Sequence, residues 1–164
     1  MARIFVSYRR EDSAGHTQAL FDRLLAHFGA DRVFMDVTGI QPGLDFAEAL
    51  DNAVGSCDVF LAVIGREWLT VTDGAGRRRL DDAGDFVRLE TATALRLNIR
   101  VIPVLVGGAT MPTASELPDS LVGLTRHQAC ELRHSSWDDD VRRLIRVITG
   151  EREALLFDFK ATEP

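Results

Sequence analysis

Asp85-Phe-Val-Arg-Leu-Glu-Thr-Ala-Thr-Ala-Leu95, running into Asn98-Ile-Arg-Val-Ile-Pro-Val-Leu-Val106, reads as a helix followed by a buried strand. At about 100° per residue, Phe86, Leu89, Glu90, Thr93 and Leu97 fall on one side of that helix. Glu90 lies near the middle of this side, about 40° round from Phe86. A carboxylate on a largely apolar face is costly to bury unless something satisfies it. Either a cation pairs with it, with Arg66, Arg88 and Arg96 as the candidates, or it lines a cavity.

Working outward, the same helix–strand alternation recurs along the chain. Arg3-Ile-Phe-Val-Ser-Tyr8 is a first strand, and Arg9 to Asp12 a loop. Asp12 or Ser13 is placed to cap a helix whose Leu20, Phe21, Leu24, Leu25 and Phe28 have helical spacing, ended by Gly29. Arg32 to Val37 is a second strand, followed by a Thr38–Gly43 loop with a Pro-Gly turn signal. Asp45 caps a helix from about Phe46 to Gly55, with Ala49, Leu50 and Ala53 inward. Asp58 to Ile64 is a continuous apolar strand, as expected in a parallel sheet covered on both faces. Thr72 to Gly84 lacks periodicity and reads as a mobile surface loop that could serve as a lid. After the helix bearing Glu90 and the strand to Val106 come a loop with two prolines (residues 107–118) and a short helix near Ser120–Leu124. A weaker edge strand, Gln128 to Leu132, precedes a final helix capped by Ser135 or Ser136, reaching Ile148 and ended by Gly150.

Five strands alternating with helices imply an α/β, flavodoxin-like three-layer domain over residues 1–150, with right-handed crossovers. The expected parallel strand order is 2-1-3-4-5. Residues 151–164 read as a C-terminal extension or a linker. In such sheets ligands bind beyond the carboxyl ends of the strands, where the order reverses, here between the first and third strands. Tyr8, Arg9 and Arg10, then Arg66 and Trp68, reach that rim, and the second strand delivers Asp36 and the Pro42-Gly43 turn. The Glu90 helix begins close by.

Bulk properties narrow the function classes. With 164 residues and 46% hydrophobic content the chain can build a sizeable core. A net charge of -6 argues against general nucleic-acid or anionic-membrane binding. Lys160 is the one lysine, so any anion recognition here relies on guanidinium groups. Two cysteines without metal spacing, no membrane-length apolar run and no leader peptide point to the cytoplasm. The four histidines lack ligand spacing. Cys57 is expected to be a small buried residue, with no histidine spaced to activate it. No Gly-x-Gly-x-x-Gly follows the first strand and no Walker loop exists, which excludes both familiar nucleotide cradles. A phosphoacceptor receiver domain would need an aspartate ending the third strand and a lysine after the fifth; Ile64-Gly65 and a chain with its lysine in the tail do not supply them.

The residues do match another family. Phe5-Val-Ser-Tyr-Arg-Arg10, Phe34-Met-Asp36 with Ile40-Gln-Pro-Gly43, Cys57-Asp58, Trp68, and Asp85-Phe-Val-Arg-Leu-Glu90 ahead of Val101-Ile-Pro-Val104 occur in order and on matching elements. In these the chain resembles a Toll/interleukin-1 receptor (TIR) domain of the bacterial type, from residue 3 to about 149. The resemblance implies a five-stranded parallel sheet and cleavage of NAD⁺ at its nicotinamide–ribose bond, giving nicotinamide with ADP-ribose or a cyclic ADP-ribose isomer. Glu90 matches the family's essential glutamate. Phe86 stands where the family often has tryptophan. Tyr8, Arg9, Arg10, Asp36, Gly43, Phe46, Trp68 and Phe86 are the implied substrate-binding residues. Each also has a plainer reading: Arg9 and Arg10 as loop charges paired with Glu11 and Asp12, Trp68 as a core aromatic, Asp36 as a loop cap, Tyr8 as rim filler, Phe46 as packing under its own helix, and Gly43 as a turn. NAD⁺ enters as substrate, with neither metal nor cofactor required. The Thr38–Asp45 segment corresponds to the family's assembly loop, implying homo-oligomers or filaments, and a sensor domain could follow Gly150. The implied setting is bacterial defence signalling. The competing class is a non-catalytic module that acts only through TIR–TIR association.

Overall fold

A computed structural model of the chain describes residues 1–35 and 42–150. Its sheet is built from β1 (Ile4–Ser7), β2 (Val33–Met35), β3 (Val59–Ile64), β4 (Arg100–Val106) and β5 (Cys130–Leu132). The order is β2-β1-β3-β4-β5 and every pairing is parallel, as the alternation of elements requires. Among the described residues four helices connect or flank the strands: α1 (Arg10–Phe28), α2 (Phe46–Gly55), α3 (Phe86–Arg96) and α4 (Trp137–Thr149). Short 3₁₀ segments occupy, among others, Arg79–Asp81 and Asp119–Arg126. Among the described residues no helix is long and apolar enough to cross a membrane.

Strand alternation divides the core into two layers. Ile4 and Val6 of β1, with Val59, Leu61 and Val63 of β3, pack against Leu20, Leu24 and Phe28 of α1 and Val141, Leu144 and Ile148 of α4. Phe5, with Phe60, Ala62 and Ile64, faces the opposite layer, where Leu50 and Val54 of α2 and Val87 and Ala94 of α3 lie. Phe5 and Phe60 stack with centroids 5.4 Å apart. β1 and β3 are buried throughout, which is why their sequences run apolar without alternation.

Several local expectations are corrected by the tertiary structure. The buried stripe of α3 is Val87, Glu90, Thr91, Thr93 and Ala94, while Phe86 is 52% exposed. The helix packs on the sheet with one face and on α2 with the adjacent one, so two apolar stripes coexist and periodicity alone picks the wrong centre. Asp12 does not cap α1. Its Oδ2 accepts from Gly65 N at 2.8 Å and its Oδ1 from Glu67 N at 2.8 Å. α1 instead starts at Arg10, breaks helical geometry at Ser13 (φ -141°, ψ 26°), and lacks a side-chain cap bond. Asp45 caps α2 as expected, accepting from Ala47 N and Glu48 N. Of the expected second strand, Val33–Met35 is present, and its Asp36 and Val37, with residues 38–41 beyond them, lie outside the described residues.

The stretch read as a mobile loop or lid is held by specific contacts. Thr72 bridges Arg78, the Asp73 carboxylate accepts from Ala75 N and Arg77 N, and Arg79 pairs with Glu11. Leu80 is fully buried in the core. One anchoring leucine among charged residues leaves no periodic signal, so the sequence hides it.

Asp140 organises the start of α4, where a serine cap was expected. Ser136 occupies the cap position without a side-chain cap bond. Its Oγ donates to Asp140 Oδ2 at 3.0 Å, and Arg133 donates to the same carboxylate through N (2.8 Å), Nε (3.1 Å) and Nη2 (2.9 Å). These bonds, the Arg133 guanidinium first among them, hold the buried Asp140 carboxyl well below the usual carboxylate range. A depressed folded-state pKa stabilises the fold above the unfolded value of about 3.9 and loses that contribution as pH falls below it. Asp140→Asn is therefore expected to cost about 1.5–3 kcal/mol at neutral pH. The gap from wild type should close in thermal melts taken at progressively lower pH; a gap that widened on acidification would refute this account.

Candidate active site

The switch point between β1 and β3 is built by residues leaving β1. Ser7 is the last residue of that strand and pairs with Ala62 of β3. It lies on the same face as Phe5, two positions on, and so points toward α3. On α3, Glu90 is one turn beyond Phe86, and its placement in the buried stripe turns it toward β1. Ser7 Oγ donates to Glu90 Oε2 at 2.8 Å, with both residues buried. Burial opposes ionisation of a carboxyl group, and a hydroxyl that donates to it supports the ionised form.

A second tie fixes the start of α3. Asp85 caps the helix, its Oδ2 accepting from Arg88 N at 3.1 Å. The same carboxylate receives a bidentate pair from Arg9, Nη1 to Oδ1 at 3.0 Å and Nη2 to Oδ2 at 2.7 Å. The Arg9 side chain is only 2% exposed and that of Asp85 10%. β1 and the residue pair after it thus hold the helix at two places, its cap and its Glu90.

Around Glu90 is a narrow cleft of about 70 Å³ lined by Val6, Tyr8, Arg10, Phe86, Val87 and Glu90. Phe86 meets Phe46, the first residue of α2, edge to face with centroids 5.2 Å apart. On the other side of this pair lies a broader groove of about 650 Å³ between α2 and α3, lined by Phe46, Leu50, Leu89, Ala92, Arg96 and Ser120 among others.

The expected site residues therefore separate. Glu90, Tyr8, Arg10 and Phe86 converge on one cleft, and Phe46 braces Phe86. Arg9 is committed to Asp85, so its guanidinium does not face the cleft as the position in sequence suggested. Trp68 is 1% exposed and packs in the core layer beneath α2 and α3, which leaves it no ring face for stacking on a ligand. Gly43 turns the chain at φ 88° ahead of α2, outside the residues lining the cleft. Asp36 lies outside the described residues. Of the cations weighed as partners for Glu90, Arg88 donates to Leu80 O and Arg96 to Asp51, while Arg66 lies against Gly108. Ser7 and Asp85, which hold Glu90 and the start of α3, are positions that the sequence reading did not single out. The period-two spacing from Phe5 to Ser7 was a signal for the first; an aspartate preceding an apolar helix was one for the second.

Other ionisable groups have structural surroundings. Burial pushes the Cys57 thiol up, and its Sγ donates to Ala53 O. Burial likewise raises Cys130. His16 lies beside Trp137 and His27 beside Phe28.

Comparison with known proteins agrees with this architecture. The family model described as "TIR domain" matches residues 4–145. Two similar proteins are the NAD(+) hydrolase tir-1 of Caenorhabditis elegans and the NAD(+) hydrolase sarm1 of Drosophila melanogaster. Each is 26% identical over 151 residues. These alignments cover 90% and 91% of this chain but only 14% and 10% of those longer proteins. Among solved structures, a prokaryotic SEFIR domain superposes with a TM-score of 0.59 at 17% identity, covering 90% of this chain and 99% of that one. The TIR domains of the activated Roq1 resistosome superpose with 0.58 at 13% identity and the same coverages. The TIR domain of the Toll-related receptor TRR-2 of Hydra magnipapillata gives 0.56 at 17%, covering 91% and 99%. These structural likenesses speak to the fold. With the family model spanning β1 to α4, the chain belongs to the TIR domain family.

Proposed function

We propose that this domain cleaves NAD⁺ at the nicotinamide–ribose bond, with Glu90 as the catalytic carboxylate. The observation that carries the reading is a buried, hydrogen-bonded glutamate opening onto a cleft at the sheet's switch point, beside Tyr8, Arg10 and an exposed Phe86. The names of two relatives, both NAD(+) hydrolases, support it.

The chemistry suits a single carboxylate. The bond between the ribose anomeric carbon and the nicotinamide nitrogen breaks, and its electron pair goes to the ring nitrogen. Nicotinamide leaves neutral, so no acid is needed to protonate it. The ribose becomes oxocarbenium-like, as in glycoside hydrolysis. A fixed carboxylate close to that carbon stabilises the developing positive charge and can take the proton of the attacking water. Water gives ADP-ribose; attack by a hydroxyl or ring nitrogen of the same molecule gives a cyclic isomer. Phe86, half exposed at the mouth, offers a ring face to the nicotinamide, and Arg10 offers a cation for the diphosphate.

The cleft's 70 Å³ is several-fold below the roughly 300–1,000 Å³ of sites that enclose a small-molecule ligand. It is too small to enclose a dinucleotide, so the reacting bond would meet Glu90 at the mouth of the cleft. The reading therefore includes self-association, with the Thr38–Asp45 segment as the assembly element and the remaining pocket wall contributed on assembly. A bacterial defence role, and a sensor domain joined after Gly150, belong to the same proposal. The second reading, a non-catalytic TIR–TIR module, is favoured by the apolar α2–α3 groove.

Incubating concentrated protein with NAD⁺ and measuring nicotinamide by chromatography separates the two. Release that rises faster than linearly with protein concentration is expected. An assembled protein that releases none is an interaction module. Mass and retention of the second product distinguish ADP-ribose from a cyclic isomer.

A further inference from the structure

We propose that Ser7 is a positioning residue for Glu90: its hydroxyl fixes the direction in which the carboxylate meets the substrate. This rests on the reading of Glu90 as the reacting carboxylate, but it is carried by geometry of its own. Ser7 ends β1, a fully buried strand, and pairs with Ala62 of β3. Its backbone is therefore held by the sheet, and a serine has a single side-chain torsion to place its hydroxyl oxygen.

The rung that holds Ser7 differs from the one before it. Phe5 and Phe60 fill their rung with stacked rings. The next rung on the same face pairs Ser7 with Ala62, two small side chains. That step from large to small lets the Glu90 carboxylate reach the sheet surface, where Ser7 Oγ meets Oε2 at 2.8 Å. A bond to one carboxylate oxygen sets the rotation of the whole group, and so the line along which the other oxygen is presented. Alanine would serve a purely packing role but would remove this one donor from the buried carboxylate.

The donor also biases protonation. An ionised carboxylate only accepts, so a hydroxyl held against it favours the charged form, against the desolvation of a residue 5% exposed. Tyr8 and Arg10 line the same cleft, the Arg9–Asp85 pair closes the start of α3, and Arg88 on the same helix is turned to Leu80 O. From α2, Asp51 is paired with Arg96. All of these remain in a Ser7 variant, so a change in Glu90 titration reports the lost hydroxyl.

The test compares wild type with Ser7→Ala and with Ser7→Thr, which keeps the hydroxyl. Carboxyl carbon NMR, with Glu90 assigned through Glu90→Gln, follows its titration without any need for turnover. In Ser7→Ala the midpoint is expected to rise by about half a unit or more, and Ser7→Thr to restore it. In the NAD⁺ assay kcat should fall about tenfold with KM nearly unchanged, and the acid limb of the rate profile should move up with the titration. A folded Ser7→Ala whose Glu90 midpoint stays at the wild-type value overturns the positioning role, whatever the activity. Absence of nicotinamide release from assembled wild type overturns the NAD⁺ reading instead, and the titration still decides Ser7. Should Ser7→Ala fail to fold, Ser7→Cys keeps the shape with a weaker donor. An upward midpoint shift in it supports the role, and an unshifted midpoint overturns it.

Discussion

Glu90→Gln is expected to lower kcat/KM for nicotinamide release by roughly 10²–10⁴-fold while leaving the domain folded. Glutamine has the shape of glutamate, and its amide oxygen can still accept from Ser7 Oγ, so the buried hydrogen bond at 2.8 Å survives in kind. What it cannot do is carry the negative charge that faces an oxocarbenium-like ribose. Glutamine also keeps the volume and the Ser7 bond at this buried position, so the melting temperature should stay close to wild type. Loss of activity with a melting temperature close to wild type is the signature of a catalytic role. A variant that keeps the wild-type rate would move the reacting group elsewhere. A variant that unfolds would mean that Glu90 serves the fold before it serves chemistry.

The second large effect concerns the ion pair that fixes α3. Arg9→Met leaves Asp85 without its bidentate partner in a site where its side chain is 10% exposed, and Asp85→Asn leaves Arg9 buried at 2%. Removing one member of a buried pair typically costs about 3–5 kcal/mol, because the other charge stays desolvated. In a domain of this size that corresponds to a fall in melting temperature of about 6–20 °C. Asp85→Asn is the sharper variant, since asparagine can still cap α3 through its side-chain oxygen while losing the charge. The double variant should be less destabilised than the sum of the two, with the cycle reporting the coupling. Nicotinamide release should fall in both single variants, because the cap they disturb directly precedes Phe86 and sets the start of the helix that carries Glu90. A drop below about 2 °C in Asp85→Asn would show that the pair is screened rather than buried.

Much of this architecture was legible in the sequence because it rests on local or periodic signals. Continuous apolar runs such as Val59–Ile64 marked strands buried on both faces, and Asp45 ahead of Phe46 marked a helix start. Strand–helix alternation then called for a parallel sheet, and the flavodoxin-like order expected for it is the one observed. Glu90 stood out as an acid amid apolar neighbours, and it is indeed buried. What the pattern could not reveal was where polar side chains end up across long sequence separations. Arg9 and Arg10 are adjacent in the chain, yet one is locked onto Asp85 and the other lines the cleft. Asp12 looked like a helix cap and instead holds the turn at Gly65, where an added Cβ would sit 2.5 Å from its Oδ1. Trp68 had two readings, core aromatic and substrate-binding ring, and the structure places it in the core.

The sequence by itself determined the alternating elements, the layers they form and the identity of the unusual acid, since hydrophobic period and turn chemistry act within a few residues and are written in them. Only the tertiary structure decided which donor meets that acid. Ser7 and Glu90 are 83 positions apart, and their 2.8 Å bond exists because β1 and α3 are packed in one layer, with a Ser7/Ala62 rung small enough to admit the carboxylate. Hydrogen bonds reach only about 3 Å, so the partner of a buried polar group is set by packing geometry and not by the neighbours along the chain.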